Sequence, residues 1–237
     1  MTITVDFRLI KSIRLHINRT EKQAELLSER KKWMQLTSAL NTLEDTSWAV
    51  EFYISTDYPD NIKGKYLYTY GLLQALFVQM DAVKSIHDSL FGANLIFNPD
   101  YPEAYKVREM RNDVTGHPTN RKGDQFIHLA QCSMEKNRFY YVKYSSNEGL
   151  KGSDVIDVDI FKAIEDVAKC VNETLAKAVD ALNIEFIEYI NAHKERKMRE
   201  IFNLLDYAKE KALLDKPMAE GGYKDTKYMV KHCEDEL

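Results

Sequence analysis

The stretch FKAIEDVAKCVNETLAKAVDAL, residues 161–182, decides the fold class. Phe161, Ile164, Ala168, Val171, Leu175, Ala178 and Leu182 fall at alternating steps of three and four, the spacing that lines apolar side chains along one face of an α-helix. Seven matches to one template predict a long amphipathic helix whose apolar face needs other helices to cover it. Asp154, Asp157 and Asp159 come just before it, and carboxylates there suit the positive end of a helix dipole.

The same period recurs upstream. Phe7, Ile10, Ile13 and Ile17, then Trp33, Leu36, Leu40 and Leu43, predict one long helix or two shorter ones. The segment DYPDNIKGK (57–65) reads as a loop. After it Tyr66, Tyr70, Leu73, Phe77 and Met80 step by four and three, and Leu72, Leu76, Val83, Ile86 and Leu90 widen the apolar surface, so this helix is expected to be buried on more than one side. Gly92 and NPDYP (98–102) end it, and a further helix can start near Pro102, since proline is tolerated in a first helical turn. Between 126 and 144 the runs FIHLAQCSM and RFYYVKY, rich in aromatic and branched residues, flank the polar residues Glu135, Lys136, Asn137 and Arg138 and predict a β-hairpin. A loop with Gly149 and Gly152 follows. Met198, Ile201, Leu205 and Ala208 predict one more helical stretch after the charged passage HKERKMRE, while 216–237 has little to bury. The expected architecture is therefore mainly α with an inserted hairpin, followed by a C-terminal helical extension and loose tail over 194–237.

Bulk properties narrow the function. A chain of 237 residues with 44% hydrophobic residues can bury a real core. Lys+Arg (33) nearly balances Asp+Glu (37), a formal net charge of -4, so any nucleic-acid contact must come from a local basic patch. Cys132, Cys170 and Cys233 lie far apart, without the paired spacing of a zinc site or a disulfide framework. Neither a signal-peptide core nor a run of membrane-spanning length is evident, and a reduced, cytoplasmic setting is expected. The closing EDEL resembles a retention tail that has no meaning without an entry signal.

Chemistry concentrates in VREMRNDVTGHPTNR, residues 107–121. Arg111 is followed by the amide Asn112, and His117 lies six positions on. On a regular helix six steps of about 100° place the two side chains on different faces. Gly116 is the residue type that most often ends a helix, and His117 precedes Pro118, which biases it away from helical dihedrals. The helix is therefore expected to stop near Gly116, leaving the His117 ring free to fold back toward Arg111 or to point into a cleft shared with a second subunit. The helix's negative end would favour its protonated form. A guanidinium is a permanent planar fork for phosphate oxygens, and a histidine near its working pH transfers protons. Together they suit RNA cleavage by the substrate's own 2′-hydroxyl, with no metal and no cofactor. Arg111 would stabilise the charge on the phosphorane, His117 would act as general base or acid, and Asn112 would orient the phosphate or the arginine. Arg108, Arg121 and Lys122 would supply the local positive surface for substrate RNA, their alternative reading being a solvated helix end.

The run Arg111-Asn112-Asp113-Val114-Thr115-Gly116-His117 resembles the signature of the HEPN superfamily, an arginine and a histidine four to six residues apart with a polar residue after the arginine. The resemblance implies an antiparallel helical bundle over residues 1–193, commonly a homodimer in which two motifs meet in one cleft. It also implies a metal-independent endoribonuclease of a toxin–antitoxin or phage-defence system, with RNA as substrate and an antitoxin or defence-complex protein as partner. By the same resemblance the helix 66–90 and the motif helix would be the central pair of an HEPN-like bundle, with 161–182 beside them. It is specific over these seven residues and architectural over 1–193. The hairpin is an insertion the minimal bundle lacks, and would serve a partner or substrate. The tyrosine two residues beyond the histidine, a nucleotidylation site in one toxin branch, is replaced by Thr119.

Plainer readings attach to other residues. His16 and His87 lie within helical patterns and His128 on a strand, as partners or surface groups; Tyr66, Tyr68 and Tyr70 at helical spacing more often fill a core than stack on bases. The mixed-sign run 194–197 reads as an exposed face. The rival function is a catalytically inactive HEPN-like binding or scaffold protein acting through dimerisation or a partner. A metal-dependent phosphohydrolase ranks last, because the six histidines show no ligand-pair spacing.

Overall fold

Helices α1 (Phe7–Ile17), α2 (Thr20–Ser28) and α3 (Arg30–Ser55) begin the computed structural model, which describes residues 4–116, 118–119, 121–122, 124–146 and 153–192. Next come α4 (Ile62–Phe91), the single turn α5 (Phe97–Asp100) and α6 (Pro102–Arg111). Strands β1 (Gln125–Leu129), β2 (Arg138–Ser145) and β3 (Asp154–Asp159) follow, and α7 (Ile160–Ala192) closes the described chain. The protein is mainly helical with a small inserted antiparallel sheet, as the apolar periodicities require. The expected extension and tail over 194–237 lie outside the described residues.

The opening segment makes three helices rather than one or two. Nothing local marks the breaks at Arg19 (φ -64, ψ 141) and Glu29 (φ -109, ψ 70), which are neither glycine nor proline. The reason is global: a straight helix from Phe7 to Ser55 would be roughly 70 Å long, and Ile17, Leu26 and Leu36 could not all reach the one core that buries them. α3 and α4 pack as an antiparallel pair, with Gln79 Nε2 donating to Ser47 Oγ at 3.3 Å inside the core. α7 packs against α1, α4 and α6 and buries Ile164, Val171 and Leu175 almost completely. The broad partner of α4 is thus α3, whereas α6 lies across a shorter stretch of it. Gly92 ends α4 in the left-handed conformation, φ 65, which a residue without Cβ adopts at no steric cost.

The predicted hairpin is present, with Gln125 opposite Ser145 and Leu129 opposite Tyr141. A third strand joins it: β3 pairs antiparallel with β2, in the order β1-β2-β3. Only one of the three aspartates serves the helix start. The Lys162 N–H donates to Asp159 at 2.9 Å, while Asp154 and Asp157 lie within the strand on opposite faces, Asp154 on the face of Ile156 and Val158. The turn side of the hairpin is docked on the bundle. Lys136 Nζ donates to the carbonyls of Ile54 and Thr56, both at 2.8 Å, satisfying the end of α3, and Tyr53 Oη donates to Lys136 O at 2.8 Å.

Lys122 has φ 54, a conformation costing an L-residue about 1–2 kcal/mol, partly offset by the looser unfolded chain a glycine brings. Lys122→Gly is expected to raise stability by about 0.5–1 kcal/mol, read as a higher urea midpoint at unchanged slope; a lower midpoint would mean the side chain itself holds this turn.

Candidate functional site

The C-terminal end of α6 lies across an exposed strip of α4. Gln74, Phe77 and Asp81 occupy that strip at steps of three and four, and Arg108 and Arg111 reach it from α6 at a step of three. Arg108 Nη1 meets Asp81 Oδ1 at 2.6 Å. Arg111 donates to Gln74 Oε1 from Nε at 3.2 Å and from Nη2 at 2.6 Å, and from Nη1 to Asn112 Oδ1 at 3.1 Å. Both guanidinium carbons stand 4.1 Å from the centre of the Phe77 ring, a cation–π contact worth about 0.5–2 kcal/mol depending on desolvation.

The backbone then widens. The α-helix stops at Arg111 and Asn112–Gly116 forms one π-helical turn, so the expected end near Gly116 is the end of this turn. In a π turn the hydrogen bonds run i→i+5 and more residues fit into each turn, and face assignments at 100° per residue no longer apply beyond Arg111. Gly116 is not in a left-handed conformation. A Cβ there would sit 3.1 Å from Arg111 Nη1, so glycine is the residue that lets the guanidinium lie against the backbone. His117 lies outside the described residues.

The other candidate cations are neutralised where they stand. Arg121 Nε binds Asp113 Oδ1 and Arg121 Nη2 binds Glu109 Oε2, each at 2.8 Å, and these carboxylates, Asp113 foremost, hold its guanidinium above its ordinary pKa. Lys122 is exposed beside Glu109 at 3.8 Å. Asp113 is buried, 6% exposed, and also receives Lys143 Nζ from β2 at 3.3 Å. Burial, with Asp113 nearby, pushes the Tyr141 phenol well above its usual range. This network fastens the π turn to the sheet. Arg108, Arg121 and Lys122 thus each stand beside a carboxylate; Arg111 stands apart, because among the described residues its partners are neutral amides and it enters no ion pair. Three of its five N–H donors are used in those bonds, and the other two have no partner among the described residues.

Comparison with known protein families, curated proteins and solved structures finds no match to this chain.

Gln74 and Phe77 are what sequence reasoning missed in the setting of Arg111. Phe77 counted as core by its spacing, yet it is half-buried beneath two arginines; Gln74, a polar residue inside LLQALFVQM, was the signal available. Tyr68 packs with Tyr53 and Tyr58 at 6.2 Å between ring centres, and Tyr66 pairs edge-on with Tyr70 at 5.6 Å. His87 Nδ1 is 3.0 Å from the Ala93 carbonyl, while His128 is exposed on β1. Burial pushes the Cys170 thiol up to about 12. Among the described residues no three His, Cys, Asp or Glu side chains gather as a metal site, and no helix is long and apolar enough to cross a membrane.

Proposed function

We propose that the chain is a metal-independent endoribonuclease of the HEPN type, working in the cytoplasm as a toxin or defence effector and restrained by an antitoxin or complex partner. The observation that carries this reading is the state of Arg111: a guanidinium fixed by two amides and a ring, uncompensated by any carboxylate among the described residues, six positions ahead of His117. A permanent cation held in place with donors to spare is suited to a phosphate that gains charge in the transition state. The 2′-oxygen of the substrate attacks the adjacent phosphorus and the bond to the 5′-oxygen breaks. His117 either takes the 2′-hydroxyl proton or gives one to the departing 5′-oxygen. The products are a 2′,3′-cyclic phosphate and a 5′-hydroxyl. In a homodimer a second His117 would supply the complementary proton transfer.

The test is incubation of the purified full chain with end-labelled RNA in EDTA, with the new termini identified by mass. Cyclic or 3′-phosphate ends are expected; no cleavage, or 3′-hydroxyl ends, would reject the mechanism. Gly116 supplies a finer check. Gly116→Ala puts a methyl group 3.1 Å from Arg111 Nη1 and shifts the guanidinium by a few tenths of an ångström. Stability should change by less than about 1 kcal/mol, because the group displaced is the end of a flexible side chain, while cleavage should fall on the order of tenfold, since positioning errors near 1 Å can cost a hundredfold. Unchanged cleavage would show that the observed pose of Arg111 is not the working one.

A further inference from the structure

The outward stripe of α7 changes character along its length. Lys169, Glu173, Lys177 and Asp180 are exposed at helical spacing, and the stripe then continues with Ile184 and Ile187, 59% and 58% exposed, with Ile190 on its flank. The opposite side of this last stretch is already covered by the α1–α2 region. Glu185 meets Lys22 at 2.8 Å, Phe186 lies 3.7 Å from the Arg19 guanidinium carbon, and the Tyr189 hydroxyl donates to Glu21 at 3.0 Å. The isoleucines thus form an apolar face where the same stripe upstream is charged, and the chain from 193 onward begins at its end.

We propose that residues 198–208 of the same chain lie antiparallel along this stripe as the second arm of a helical hairpin. The apolar positions on the two arms mirror each other about Lys194. Ile190 and Met198 stand four residues to either side of it, Ile187 and Ile201 seven, and Ile184 and Leu205 ten and eleven. A reversal centred there sets each isoleucine opposite an apolar partner. It also brings Lys209 opposite Asp180, where the α7 stripe returns to charge. The polar run 193–197 has the length of an ordinary connection between antiparallel helices, about 2–8 residues. At about 1.5 Å per residue, Ile184 to Ile190 spans about 9 Å and Met198 to Leu205 about 10.5 Å, so the two apolar runs match in length. The tether favours this occupant over a second copy, because a segment joined at the edge of a surface reaches it at a far higher effective concentration than a separate molecule does.

Cysteine pairing in the full chain tests this, in a background carrying Cys132→Ser and Cys233→Ser. The pair Ile187→Cys with Ile201→Cys is expected to oxidise to a disulfide within one chain, since facing positions fall within bridging distance, giving a faster band on non-reducing gels and the linked peptide by mass. The offset pair Ile187→Cys with Leu213→Cys is expected to stay reduced under the same oxidant. A disulfide between chains would assign the stripe to a second copy and overturn the proposal. So would no disulfide in the first pair, or equal yields in both, which would show that the segment does not dock in this register.

Discussion

Arg111→Ala is expected to lower RNA cleavage by about 10²–10³-fold, the usual loss when one preorganised donor to a developing oxyanion is removed, and His117→Ala by about 10²–10⁴-fold, the usual share of a positioned proton-transfer group. Neither variant should unfold the protein. Arg111 leaves behind two neutral amides that water can satisfy, and Phe77 loses one of two guanidinium neighbours. Arg111→Lys keeps the charge but not the fork that reaches Gln74 twice and Asn112 once, so most of the loss should persist. Cleavage rates in EDTA, set beside urea unfolding of each variant, make the comparison. If both alanine variants cleave within about threefold of the parent, the nuclease reading is wrong, because mutational effects that small lie far below those of catalytic groups.

Arg121→Ala should cost about 3 kcal/mol of stability, the usual penalty for removing one partner of a buried ion pair. Asp113 is 6% exposed, and without Arg121 its one remaining cation among the described residues would be Lys143 at 3.3 Å, while Glu109 would lose its close cation at 2.8 Å. Replacing both members, Arg121→Met with Asp113→Leu, removes the buried charge together with its partner and should cost clearly less than the sum of the two single changes. The coupling is read from urea midpoints of the four proteins. A loss below about 1 kcal/mol for Arg121→Ala would mean that its ion pairs are solvated and weak, and would return Arg121 to the substrate-contacting role that its position in the sequence suggested.

These two experiments separate residues that looked alike in the sequence. Arg108, Arg111 and Arg121 all fall within VREMRNDVTGHPTNR, and any of them could have faced a phosphate. Which one keeps an uncompensated charge depends on Asp81 of α4, on Glu109 and on the buried Asp113, whose placement depends in turn on Lys143 of β2. Side-chain chemistry names the cations; the fold decides which carboxylates meet them, Asp81 of α4 for Arg108, and for Arg121 the residues Glu109 and Asp113, twelve and eight positions before it.

The helical class, the apolar middles of α4 and α7, the start of α6 at Pro102 and the hairpin were legible because apolar period and proline or glycine punctuation are local properties; the helix ends were not, since α4 already begins at Ile62 inside the stretch 57–65 read as a loop, and α7 continues past Leu182 to Ala192. The breaks at Arg19 and Glu29 were not, since they answer to how much helix one core can cover. β3 was missed because aspartates ahead of a helix look like dipole partners and DVIDVD has no two-residue alternation to mark a strand; the pairing with β2 makes it one. The residue type at 116 was visible and its reason was not. A glycine near a helix end suggests a left-handed cap, whereas its role here is to leave room for the Arg111 guanidinium, which lies 3.1 Å from where a Cβ would be. Sequence by itself determined which residues can carry charge, transfer a proton or line an apolar face. Tertiary structure decided which charges are cancelled, because Coulomb attraction and desolvation act over a few ångströms in space, whatever the separation along the chain.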